Sequence, residues 1–198
     1  MDRKRFISAF AIAACGILLT GGGVAEATNP QAARTGVSPQ AVRSTSTAPA
    51  SGGRVFFTAY QNDDLPGATV ILTGAISDFG AAVSVLRNGT VDPEHGSQLN
   101  LALTQGSFRI VIGPLHQMLE NALVHAPFNL KSCSGHVAVT GAAPVVAGSG
   151  TGAYKGIRGS FTLTITGNEV VGRPCQRFSG SSLAEAIFTA GPGAVSFG

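Results

Sequence analysis

The stretch VVAGSGTGAYKGIRGSFTLTITG, residues 145–167, decides the fold. Its second half alternates strictly. Phe161, Leu163 and Ile165 point to one side of an extended chain, while Thr162, Thr164 and Thr166 point to the other, the pattern of a β-strand with one buried face. Its first half carries Gly148, Gly150, Gly152, Gly156 and Gly159. Glycine adopts positive φ and lets backbones approach closely, so this spacing predicts a tight bend feeding one strand into the next, as hairpins and barrels require. The run lacks the G-K-[ST] ending of a phosphate-binding loop, and a strand follows it where that loop would need a helix.

Working outward, the same grammar repeats. Strands are expected at 54–60, 68–76, 81–86, 97–104, 107–112, 136–140, 145–147, 160–166 and 183–189, with 195–197 as a closing edge. Asn88-Gly89 is a hairpin turn signal, and residues 62–67 form another turn. One segment breaks the pattern: Leu115, Met118, Leu119, Ala122, Leu123 and Ala126 follow helical spacing between Pro114 and Pro127. The fold class is therefore all-β, an antiparallel barrel of eight or slightly more strands with one amphipathic helix laid over its mouth or flank.

The run of Gly150, Gly152, Tyr154, Gly156 and Gly159 resembles the G-x-G-x-[FY]-x-G-x-x-G signature of the allene oxide cyclase and dirigent families. The resemblance covers the glycine-rich hairpin by motif and the remainder by strand count. It implies an eight-stranded barrel around an apolar cavity. Plant members cyclise an unstable fatty-acid epoxide or steer the coupling of phenoxy radicals. Their polar residues have no motif-anchored counterparts in this chain, so catalytic and ligand-binding residues stay unassigned.

The N-terminal residues supply an address. Arg3, Lys4 and Arg5 precede an apolar or small stretch at 6–20, and Ala25-Glu26-Ala27 places small residues where a signal peptidase reads. Residues 1–27 are expected to be an export signal, which makes the mature protein secreted and leaves no membrane attachment. The alternative is a membrane-anchored lipoprotein of a bacterium, because Ile12-Ala13-Ala14-Cys15 fits a lipobox with Cys15 as the lipidated residue. Residues 28–53, rich in Ala, Ser, Thr and Pro, bury too little apolar surface to offset their ordering entropy and form a flexible linker. A single domain occupies 54–198.

With Cys15 removed, Cys133 and Cys175 remain, and an oxidising compartment favours their disulfide. Residues 1–27 carry three basic and two acidic groups, so the chain's +3 falls to +2 without them. Charged residues make up 12%, and no basic cluster persists beyond the signal, which excludes nucleic acid as a partner.

Few residues suggest chemistry. His116 and Glu120, like Asn121 and His125, are i, i+4 pairs read as a solvated helix face, with no third ligand for a metal. Asp92, Glu94 and His95 crowd a Pro-containing loop without calcium-loop spacing. There is no G-x-S-x-G elbow; Ser149 sits in a turn. Tyr60, Tyr154, Arg109 and Glu185 are buried polar candidates should they face the lumen. No metal or cofactor is expected. Two functions remain. One is a barrel binding a small apolar molecule, with cyclase or isomerase activity by shape-selective confinement in its enzymatic version. The other is a non-catalytic secreted or envelope-associated interaction or inhibitor module. A deep lumen with a few polar groups favours the first; a filled interior with an exposed apolar patch favours the second.

Overall fold

A computed structural model describes residues 52–62, 67–93, 95–172, 175 and 182–198. The expected signal, the lipobox cysteine and all of the expected linker except residues 52 and 53 lie outside the described residues. Nine strands and a helix follow in the order β1 (Gly53–Asn62), β2 (Ala68–Gly74), β3 (Asp78–Val85), β4 (Gln98–Leu103), β5 (Gly106–Val111), α1 (Gly113–His125), β6 (Phe128–Asn129), β7 (Ser134–Pro144), β8 (Ile157–Val171) and β9 (Ser182–Phe197). They form one antiparallel sheet, ordered β5-β4-β3-β2-β1-β9-β8-β7-β6, that curls into a half-barrel. The fold class read from the pattern holds, with two differences of detail. The expected strand at 136–140 is part of the longer β7, whereas 145–147, expected as a strand, lies beyond its end and pairs only through a single bridge at Val145, because the chain turns there into the glycine run; the expected closing edge at 195–197 is the end of β9.

Alternation sets the inner face. Val55, Phe57 and Ala59 of β1 and Phe161, Leu163 and Ile165 of β8 are buried, as the stretch at 161–166 requires. Phe57 and Phe161 meet edge to face at 5.9 Å, and Phe108 packs against Tyr154 at 5.3 Å. Each such side chain contributes about 1.5–3 kcal/mol by leaving water.

The glycine run does more than bend. Residues 145–156 link β7 to β8 by folding back along β5. Val145 bridges Ile110. Val146 N–H donates to the Arg109 carbonyl (2.8 Å), Thr151 N–H to Ser107 (2.8 Å) and Ala153 N–H to Gln105 (2.9 Å). The side chains of Thr151 and Ser149 accept from Ser107 N–H and Arg109 N–H at 3.0 and 2.9 Å. A strand edge that would otherwise present bare backbone groups is thereby covered. Gly152 shows why glycine is needed: its φ is 55°, and a Cβ there would collide with the Gln105 carbonyl oxygen. At Gly150 a Cβ would strike the Tyr154 carbonyl, at Gly156 that of Gly198, and at Gly159 that of Ala194.

Helix α1 begins with Pro in its first turn and lies on β7, where Gly141 makes room; a Cβ at Gly141 would be 3.0 Å from Leu115 Cδ2. The disulfide joins Cys133 to Cys175 with Cα atoms 5.0 Å apart, tying the turn before β7 to the chain beyond β8.

Candidate functional site

The register gives the half-barrel two ends. One carries Asp78, Leu103, Pro144 and Phe197; the other carries Asn62, Ala68, Gln98, Val111 and Val171.

The first end is sealed. Asp78 opens β3 and is nearly buried, and its carboxylate collects five hydrogen bonds. Oδ1 accepts from Phe79 N–H (2.8 Å), Thr104 N–H (3.3 Å) and the Thr104 hydroxyl; Oδ2 accepts from Gln105 N–H (3.1 Å) and the Tyr154 hydroxyl (2.5 Å). Burial alone would raise this carboxyl's pKa, but the bonds from Thr104, Tyr154, Phe79 and Gln105 outweigh it and hold it below its ordinary value. Burial pushes the Tyr154 phenol well above its ordinary value, and the bond to Asp78 and its charge push it further. The pair is an ionised acceptor with a neutral donor. Tyr154, the aromatic residue within the glycine run, is thus bolted through Asp78 to β3 and the β4–β5 turn, and its hydroxyl proton is committed to that anchorage.

The second end holds a cavity of about 20 Å³ inside the barrel, lined by Ala59, Leu99, Ile112, Leu163, Ile165 and Ile187 with Gln61, His116 and Thr189 among them. It has room for about one water, since a water needs roughly 10–15 Å³ on this measure. A second cavity of about 20 Å³ lies between the end of α1 and strands β7 to β9, beside His136, Asn168, Glu169 and Glu185. Pockets for small molecules run to roughly 300–1,000 Å³. Neither of these cavities, each lined wholly by described residues, approaches that.

His116 corrects the reading of the helix. Ile112, Leu115, His116 and Leu119 share the face that meets the barrel, so His116 lines the cavity, whereas Met118 is 44% exposed. Burial lowers the His116 pKa, partly countered by its hydrogen bond to the Gly96 backbone, so the ring is neutral at pH 7. Glu120, Asn121 and His125 do lie on the exposed side.

The outer face is the unusual surface. Cross-strand neighbours Phe79, Ile71, Thr58, Ala190, Thr164 and Thr140 form one row across six strands. Ala81, Thr69, Tyr60, Phe188, Thr166 and Ala138 form the next, and Thr73, Phe56 and Pro192 a third. None of these positions is charged. Phe79 is 63% exposed, Ile71 48%, Phe56 47%, and Tyr60 and Phe188 45% each. A sheet with one solvated face ordinarily makes that face polar and charged, and contiguous apolar exposure marks contact sites.

The other residues singled out by sequence disperse. Arg109 points away from the core and donates to the Arg87 carbonyl and Gln98 Oε1, both at 3.0 Å. Glu185 stands opposite Glu169 on β8. Asp92 accepts from His95 N–H at 2.9 Å in an ordinary turn, Glu94 lies outside the described residues, and Thr90 N–H bonds Asn88 Oδ1 at 2.9 Å in the Asn-Gly turn. Ser149 donates to the Val146 carbonyl at 2.7 Å. Among the described residues, no three His, Cys, Asp or Glu side chains converge as metal ligands. No protein-family model, curated protein or solved structure matches this chain.

Proposed function

We propose that this protein is a non-catalytic interaction module that works through the outer face of its curled sheet. The observation that carries this reading is the pairing of an inner face whose cavities, among the described residues, each hold about one water with three uncharged outer rows bearing Phe56, Tyr60, Ile71, Phe79 and Phe188. Each of the five exposes roughly 100 Å², taking half of the 150–250 Å² such side chains present. Covering all five would be worth on the order of 12 kcal/mol at ~25 cal/mol/Å², against association costs of about 4–15 kcal/mol, which leaves at most about 8 kcal/mol, a micromolar contact at its tightest. The disulfide fits an oxidising compartment outside the cytoplasm, in keeping with the export signal. No helix among the described residues is long and apolar enough to cross a membrane.

A second reading has its own support. Gln61, His116 and Thr189 set neutral polar groups in an apolar lumen, the arrangement expected of a barrel that binds a small apolar molecule and of the allene oxide cyclase and dirigent families that the glycine run resembles. Titration with an environment-sensitive apolar dye separates the two. Tyr60→Lys should abolish dye binding and Ala68→Leu, which narrows the lumen cavity that Ala68 also lines, should leave it intact; the reverse pattern would transfer the function to the lumen.

A further inference from the structure

We infer that the partner of this outer face is a second copy of the same chain, packed face to face about a two-fold axis. This deepens the interaction-module reading and rests on it. Charge is the first argument. An acidic, basic or nucleic-acid partner finds no countercharge in the rows Phe79-Ile71-Thr58-Ala190 and Thr69-Tyr60-Phe188-Thr166, whereas a neutral patch meets its own image without like-charge repulsion.

Hydroxyl chemistry is the second. Thr58, Thr69, Thr73 and Thr166 place hydroxyls among the aromatic rings. A lipid surface would leave them without partners. An identical face offers each a hydroxyl that both donates and accepts, the contact already made within one copy between Thr140 and Thr164 at 2.8 Å.

Area is the third. Five strands at about 4.8 Å spacing and four residues of β1 rise at about 3.4 Å give a patch roughly 19 Å by 14 Å between Cα positions, before side chains widen it. Its five large side chains expose about 500 Å², which on the convex outside of a curled sheet places the contact in the class of weak, transient interfaces below ~1,200 Å² in total.

Sedimentation velocity of the full mature chain from 1 to 100 µM tests the proposal, with Phe188→Lys, Ile71→Lys and, as an exposed control on α1, Gln117→Lys. The unaltered protein should pass from monomer to dimer within this range. Phe188→Lys and Ile71→Lys should each weaken association at least tenfold, and Gln117→Lys should not change it. Using two strands guards against one variant failing to fold, which far-ultraviolet circular dichroism checks. A monomer at every concentration, or lysine variants that associate like the parent, would overturn the proposal. If that monomer still binds the apolar dye through Tyr60, only the second copy is refuted; if it binds none there, the outer-face function falls with it.

Discussion

Replacing Asp78 by Asn removes one charge and converts one acceptor oxygen into an amide donor. Five donors converge on the two carboxylate oxygens. With the amide nitrogen in the Oδ2 position, the Tyr154 hydroxyl can reverse and accept, but Gln105 N–H meets another donor. With it at Oδ1, both Phe79 and Thr104 N–H groups do. The first arrangement is the cheaper. A stranded buried donor costs about 1–3 kcal/mol, and the Tyr154 bond loses its charge assistance, so the total should be about 2–4 kcal/mol. At an m-value of roughly 1.5–2 kcal/mol/M this lowers the urea midpoint by about 1–2.5 M at pH 7. The pH dependence follows from sign. Because folding depresses the Asp78 pKa, its contribution is present above the ordinary value of 3.8 and is lost as pH falls through the folded value. Asp78→Asn should therefore flatten the loss of stability below about pH 4. Urea titrations followed by far-ultraviolet circular dichroism measure both effects. A midpoint unchanged at pH 7 would refute the claim that Asp78 pins the glycine run.

Gly152→Val places a β-branched side chain at φ 55° against the Gln105 carbonyl and should cost about 2–4 kcal/mol in thermal or urea unfolding, more than a surface change. Cys133→Ser should lower stability by about 2–5 kcal/mol under oxidising conditions and leave reduced protein unaffected. Leu115→Ala, which empties the fully buried contact between α1 and β7, should cost about 2–5 kcal/mol while leaving far-ultraviolet strand signal unchanged. His116 contributes stability that is complete above its ordinary pKa of 6.5 and declines as pH falls below it, because burial favours the neutral ring; His116→Gln should remove that slope in urea titrations between pH 7 and 5.

The period-two pattern from Phe161 onward was enough to place β8, its inner face and an all-β sheet, because one-sided burial imprints alternation directly on sequence. The pairing of Cys133 with Cys175 was legible for a similar reason: two cysteines leave one choice. The glycine run marked a place of close approach but not what it approached; its contacts with Gln105, Ser107 and Arg109 lie some 40 residues away in the chain. Asp78 carried no signal at all, since a lone Asp beside Phe79 reads as a turn residue until Tyr154 arrives from the far side of the sheet. His116 was misread because Met118 and Ala126 drew the helical stripe away from Ile112, which the first turn extends onto the same face. The outer rows were hidden too. Phe56, Tyr60 and Phe188 count toward β-propensity wherever they point, and only register joins separate strands into one uncharged surface.

The chain has two tyrosines, and they occupy opposite sides of the sheet: Tyr60 in the outer rows at 45% exposure, Tyr154 at 1% beneath the glycine run. Nitration of the folded, dilute protein with tetranitromethane, mapped by peptide mass, therefore tests the account directly. Tyr60 should be nitrated and Tyr154 spared. At alkaline pH the charge acquired by the nitrated ring should abolish both apolar-dye binding and self-association. Nitration of Tyr154 in folded protein, or full binding by protein nitrated at Tyr60, would contradict it.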